Sequence, residues 1–285
     1  CIIILCVIRH CVPLAARYPH FRTICRIQLL VLHSKMDISI TWKRCKNMKY
    51  LIIACKIFNK PLTYLIKESD NIDIIWLEQG LHNTPAKLNS ELKNTIESIS
   101  PDVDYDAILL LYGLCSNGIV GIGSDRFPIV VPKTDDCIAV FLGSQKKYLE
   151  HFYAMKGIYW YNSAWVADAY TPSEESLIKK KAEYIEEYGE ENADFLMEEE
   201  NKWIKEYENC LFIKEAEFDE EAEIAYTKES ARFFGWNYCE VLGNLSMIKN
   251  LIKGNWNETD FLICPKNHRI IESFDEGKIK AEKIN

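Results

Sequence analysis

From Met48 onward the chain alternates short unbroken apolar runs with longer stretches whose apolar residues return every three or four positions. That alternation is the signature of βαβ units and a parallel sheet. Residues 50–54 read as the opening strand. A helix is expected over 61–68, with Asn59 available as a cap and Pro61 near its first turn. A second strand follows at 72–77, and a helix over 85–99 in which Leu88, Leu92, Ile96 and Ile99 fall at helical spacing. Residues 107–112 form a third strand, apolar enough for the sheet centre. Residues 127–131 form a fourth, ended by Pro132. A helix over 144–155 and a fifth strand over 157–161 complete this stretch.

Residues 173–215 change character. Charged positions dominate, with Tyr184, Tyr188, Phe195, Trp203, Ile204 and Tyr207 interleaved. The pattern predicts one long helix or a helical pair broken near Gly189, a solvated insertion packed along one stripe. Beyond it, 222–225 read as a strand, 228–234 as a helix, 237–242 as a strand, 246–253 as a helix and 261–264 as a last strand. The expected architecture is a doubly wound, mostly parallel α/β fold with a charged helical insertion. Residues 48–172 supply its first half, 173–215 the insertion and 216–285 the completing segment.

Residues 1–47 do not join this pattern. The chain opens on Cys1, no acidic residue precedes Asp37, and the apolar runs are broken by Arg and His. Such runs make a poor membrane span, and no small-residue cleavage site marks a signal peptide. A basic, acid-poor stretch also suits a transit peptide. The simpler expectation is a non-native or disordered leader, with Met48 as the natural start.

The formal charge of −8 provides no basic face for nucleic acid. Without a membrane span or signal, the expected compartment is the cytoplasm. Thiols there read as metal ligands or catalytic groups before disulfides. Of the eleven cysteines, five precede residue 48. Among the rest, Cys55 follows the first strand, Cys115 the third and Cys137 the fourth, while His82 lies shortly after the second. In parallel α/β sheets, ligands bind at the carboxyl ends of strands. Only the fold could unite residues so widely spaced. If it does, Cys55, Cys115 and Cys137 are candidate thiolate ligands and His82 a fourth or outer one, for zinc or an iron–sulfur cluster. Taken singly, a cysteine at a strand end is more often a small buried hydrophobe, and Cys264 also sits at one.

The loop after the third strand, Tyr112-Gly113-Leu114-Cys115-Ser116-Asn117-Gly118 and on to Gly121 and Gly123, is rich in glycine. It lacks the ending of a Walker loop and the spacing of the dinucleotide fingerprint. Gly113, Asn117, Gly118 and Gly121 are candidate cofactor- or substrate-binding positions, cradling a ligand with backbone. The run Gly113–Gly118 is also one residue from a nucleophile elbow. Cys115 is therefore an alternative catalytic thiol, with His82 and Asp136 or Asp135 as partners. Asp136 beside Cys137 could orient a ligand, or simply cap a helix starting before Ile138.

These motifs, in order, resemble the domain of unknown function 1638 family over roughly residues 48–275. The resemblance rests on Leu81-His82-Asn83 before Pro85, on residues 112–118, and on Asp136-Cys137 leading to Leu142-Gly143-Ser144. Gly235-Trp236, Gly243-Asn244-Leu245 and Trp256 extend it. The chain departs from the family pattern at Ser116, where relatives carry Gly, and at Asp135, where they carry His. The resemblance implies an anaerobe's protein linked to corrinoid-dependent methyl transfer. It offers two partner classes, a small molecule or a corrinoid or methyltransferase protein. A non-enzymatic accessory role, through the acidic insertion, is the other reading it leaves open.

Overall fold

A computed structural model describes residues 48–67, 71–168, 171–275 and 277–284, with the side chain of Asp168 left out. The expectation of a leader over 1–47 lies outside them. Strand β1 (Tyr50–Cys55) is buried along its whole length, because an unbroken apolar run satisfies both faces of a central strand. Its neighbours are β2 (Ile72–Leu77) and β3 (Ala107–Leu111), both parallel to it. A two-residue strand β4 (Gly123–Ser124) precedes β5 (Ile129–Pro132), which pairs parallel with β3.

Between β1 and β2 runs α1 (Asn59–Ile66), entered directly from a single 3-10 turn at Lys56–Phe58. Asn59 is therefore the first helical residue and not the cap. Helix α2 (Pro85–Glu97) buries Leu88, Leu92 and Ile96 at successive i, i+4 positions, and Pro85 occupies its first turn. The five-residue α3 (Cys137–Phe141) and α4 (Gln145–Ala154) follow β5. Ser144 caps α4 by accepting from Lys147 N at 3.3 Å.

A second sheet is built from β6 (Ile158–Tyr161), β7 (Asn209–Lys214) and β8 (Asn237–Leu242), all parallel in that order. Helix α5 (Ser163–Asp168) follows β6, and α6 (Glu174–Tyr188) and α7 (Glu190–Glu200) break at Gly189, whose φ is +80°. The charged stretch is thus a helical pair, but it ends before residue 209. Cys210–Ile213 is a short buried strand at the centre of the second sheet. The strand expected at 222–225 is instead the first turn of α8 (Glu221–Phe234), which buries Ile224, Thr227 and Ala231 at helical spacing. Helix α9 (Ser246–Ile252) leads to β9 (Phe261–Cys264), which runs antiparallel to β5. Strands β10 (His268–Glu272) and β11 (Ile279–Lys283) join β4 in a small antiparallel sheet.

The first sheet runs β2-β1-β3-β5-β9. The chain steps from β1 outward to β2, then returns to the other side of β1 with β3. The carboxyl ends of β1 and β3 therefore flank a topological switch point, the usual place for a ligand in such sheets. This is a mixed α/β fold with a mainly parallel central sheet. Among the described residues no helix is long and apolar enough to cross a membrane.

A polar cluster lies between the two sheets. Glu215, just past β7, and Glu220 are each 2% exposed, and Glu215 N donates to Glu220 Oε2 at 2.8 Å. Lys60 from α1 donates to Ser163 Oγ at 3.3 Å and is the cation acting on both carboxyls. Burial, reinforced by Glu220, pushes the Glu215 carboxyl up to about 8. The folded protein thus holds a proton that the unfolded chain releases near pH 4.5. Stability is expected to fall as pH rises from about 4.5 to about 8, and then to level off with respect to this group. Glu215→Gln is expected to flatten that decline and to add about 1–3 kcal/mol at pH 8. Urea unfolding at pH 5, 6.5 and 8 checks this; an unchanged pH slope in the variant would refute it.

Candidate functional site

The loops after β3 and β5 are locked together by their backbones. Leu114 N donates to Thr134 O at 2.8 Å, and Cys115 N to Asp135 O at 2.9 Å. A Cβ on Gly113 would fall 2.6 Å from Asp136 Cα and carbonyl carbon, so only glycine admits this approach. Asp136 caps α3: its Oδ1 accepts from Ile138 N at 2.9 Å and Ala139 N at 3.4 Å. Cys137 is the first residue of that helix. The two cysteines therefore sit on adjoining loops.

Cys115 opens a run of three consecutive left-handed residues, with φ of 47° at Cys115, 55° at Ser116 and 68° at Asn117. Such conformations cost about 1–2 kcal/mol each for residues other than glycine. The turn is held by Gly118 N donating to Cys115 O at 3.0 Å and by the Asn117 amide donating to Glu272 of β10. Strain of this kind clusters at functional sites. No helix follows Cys115; turns run to Gly121. The strand–turn–helix of a nucleophile elbow is therefore not formed.

A cleft of about 370 Å³ opens at these loops. Its lining includes His82, Cys115, Ser116, Asp135, Asp136 and Cys137 together with Trp160, Trp165 and Tyr207. His82 comes from the single turn Leu81–Asn83 after β2 and stands at the rim. Partial burial holds its imidazole below the ordinary value, which favours the neutral ring. Cys55, the last residue of β1, is buried beneath, 7% exposed. Asp135 is engaged on two sides, accepting from Gln145 Nε2 at 2.6 Å and pairing with Lys278 Nζ at 2.9 Å.

The three thiols lie within electrostatic reach of one another, and Tyr112 feels all three. Burial pushes Cys115 up to about 12, with Asp136 and Cys55 adding to it. Cys137 is raised well above the ordinary thiol value by burial, then by Asp136, Cys115 and Cys55. Cys55 is raised by burial and Glu78, partly offset by a backbone hydrogen bond from Ile57. Burial also lifts Asp136, to about 6. Among the described residues, no Lys, Arg or His is a main cause of these shifts. The Tyr112 hydroxyl has no hydrogen-bond partner among the described residues, although Tyr112 is only 4% exposed. An unsatisfied buried hydroxyl costs about 1–3 kcal/mol.

The expectations divide here. Cys55, Cys115 and Cys137 are gathered at one sheet edge, and His82 shares the cleft with the latter two. The side chains as they stand are not closed on one point: among the described residues, no three or more His, Cys, Asp or Glu are placed to hold a metal ion. Gly113, Asn117, Gly118 and Gly121 are not among the cleft's lining residues. Each of the last three makes contacts within the fold. Gly118 lies against Leu88, Gly121 N donates to Ile270 O at 2.7 Å, and Asn117 is tied to β10. Asp136 spends one oxygen as the cap of α3, the blander of its two readings. Cys264 faces away from the site question, because β9 is antiparallel and Cys264 pairs with Ile129 at the opening of β5. Tyr112, Tyr148, Trp160 and Trp165 were not among the expected site residues. For Tyr112 the signal was a hydroxyl closing an otherwise apolar central strand.

A thiol this hard to ionise should react slowly. At pH 8, a group at about 12 has about a thousandfold less thiolate than one at 9. Iodoacetamide labelling of metal-stripped protein, mapped by peptide mass, is expected to modify exposed Cys239 well before Cys115. Rapid labelling of Cys115 would overturn this and favour the nucleophile. Gly113→Ala is expected to destabilise by about 2 kcal/mol through its clash with the Asp136 backbone; wild-type stability in urea would contradict the backbone contact.

A family model described as a protein of unknown function, DUF1638, matches residues 76–252. His82, Cys115 and Cys137 fall within that span and Cys55 outside it. No curated protein and no solved structure matches the chain.

Proposed function

The chain belongs to the DUF1638 family of proteins of unknown function, and within it we propose that this protein binds a soft or borderline metal ion, zinc foremost, through Cys55, Cys115 and Cys137. The observation that carries the reading is the Tyr112 hydroxyl, orphaned among the described residues, beside one buried thiol, two half-buried ones and a carboxyl. A bound cation would let the thiols ionise and leave Tyr112 a thiolate or a metal-bound group to donate to. His82 at the rim could close the shell or leave a position open for a ligand. Binding requires the side chains to turn toward a common point, since they do not form a closed set as they stand. In the methyl-transfer setting implied by the family resemblance, such an ion would hold a thiol substrate as its thiolate.

The metal-free thiol enzyme is the weaker reading. It needs a depressed Cys115 pKa, and burial drives that group the other way.

Titration of the full chain with cadmium under anaerobic conditions, followed by thiolate charge-transfer absorbance, is the test. One equivalent is expected, with a higher thermal midpoint in the loaded protein. Cys115→Ser and Cys137→Ser are each expected to weaken binding at least a hundredfold, and Tyr112→Phe about tenfold. Binding that survives both serine variants would place the metal on other cysteines and end the proposal.

A further inference from the structure

The thiol cleft does not stop at Trp160. A second hollow, of about 640 Å³, adjoins it, and Ile138, Ile158, Trp160 and Tyr207 line both. Its outer part is a row of rings carried by α4. Tyr148 stands 6.2 Å from Trp160, Phe152 6.0 Å from Tyr148, and Tyr153 5.5 Å from Phe152. Phe152 is 54% exposed and Tyr153 79%, so the row climbs from the thiols to solvent. Large aromatic side chains left open in this way mark binding surfaces. The trough wall is tightly built: Gly157, at φ +53°, lies against the backbone of Glu206 and Tyr207, and Glu208 N donates to Gly157 O at 2.9 Å.

A small ion needs none of this. Hollows of these sizes, lined by rings with a few polar groups at one end, match organic ligands. Ring faces favour a flat ring by offset stacking and a cation by their quadrupole. The charged lining agrees: Asp135, Asp136 and Glu206 stand against Lys156. Asp135 is already paired with Lys278, which leaves the others to set the sign.

We infer that the cleft and the α4 row form one trough for a planar aromatic molecule bearing positive charge, its rings on Trp160 and Phe152 and its inner end at the thiols. The inference rests on the thiol cleft being a working site and adds the class of its organic ligand.

The probe is proflavine, a planar aromatic cation, added to the full chain with and without cadmium and followed by fluorescence and equilibrium dialysis. Saturable binding of one proflavine per chain is expected. Phe152→Ser and Tyr153→Ser change exposed positions and are each expected to weaken it at least fivefold; Trp160→Leu should do so more strongly. The anion 8-anilinonaphthalene-1-sulfonate is expected to bind at least tenfold more weakly. Non-saturable proflavine uptake, or affinity unchanged in the Phe152 and Tyr153 variants, overturns the trough. Equal affinity for the anion overturns the charge assignment. The two readings separate cleanly. Proflavine bound by a chain that takes up no cadmium defeats the metal and leaves the trough, and cadmium bound without proflavine does the reverse.

Discussion

The site depends on one close approach, the backbone of Gly113 against that of Asp136. A side chain there would force apart the loops that follow β3 and β5. With glycine, those loops continue the pairing of their strands past the sheet edge, through Leu114 to Thr134 and Cys115 to Asp135. That contact sets the register of Cys115 and Cys137 and fixes where α3 begins. The left-handed run at 115–117 is what this close packing demands of the chain once it must turn away again. The strain is offset by ties to distant elements.

Two clusters of buried acids lie at strand ends in this fold, and they have different electrostatic solutions. At the joint between the sheets, Glu215 and Glu220 have Lys60 beside them, and a retained proton reduces the remaining repulsion. At the end of the first sheet, among the described residues, the nearby ammonium of Lys278 is paired with Asp135 and not with the thiols or Asp136. Burial first, and then the neighbouring acids and thiols, displaces every one of these groups toward its neutral form. The Tyr112 hydroxyl, which feels all three thiols, is buried there without a hydrogen-bond partner among the described residues.

Much of the first half was legible because its signals are local. The runs at 50–54 and 107–112 are long and apolar enough to be central strands, and helix 85–97 follows from the spacing of Leu88, Leu92 and Ile96. The shared edge of Cys55, Cys115 and Cys137 followed from strand order alone. What failed was context. Cys210–Ile213 is four apolar residues behind a charged helical pair, too short a run to separate from it by periodicity. Ala222–Ala225 satisfies a strand locally, and only the buried sequence Ile224, Thr227, Ala231 identifies its helix. Strands β10 and β11 are short, carry charged residues at several positions and have no long apolar run to announce them, although Ile270 and Ile279 are buried. The glycines of the 113–123 loop were legible as backbone constraints, but not the close approach of Asp136 to Gly113, Leu88 to Gly118 and His268 to Gly123.

Those late strands decide when the site can exist. Asn117 is tied to Glu272, Gly121 to Ile270 and Asp135 to Lys278, the first across 155 residues of chain. Contacts of such separation form late, since loop closure must precede them. During synthesis, the cysteine loop emerges while its partners are still unmade, so it cannot hold its left-handed turn on the ribosome. The edge of the cleft is completed only once β10 and the segment to Lys278 have been made. The loop can therefore take its final form only after β10 and β11 have joined β4, and a chain interrupted before Lys278 would carry a folded sheet with an unfinished edge.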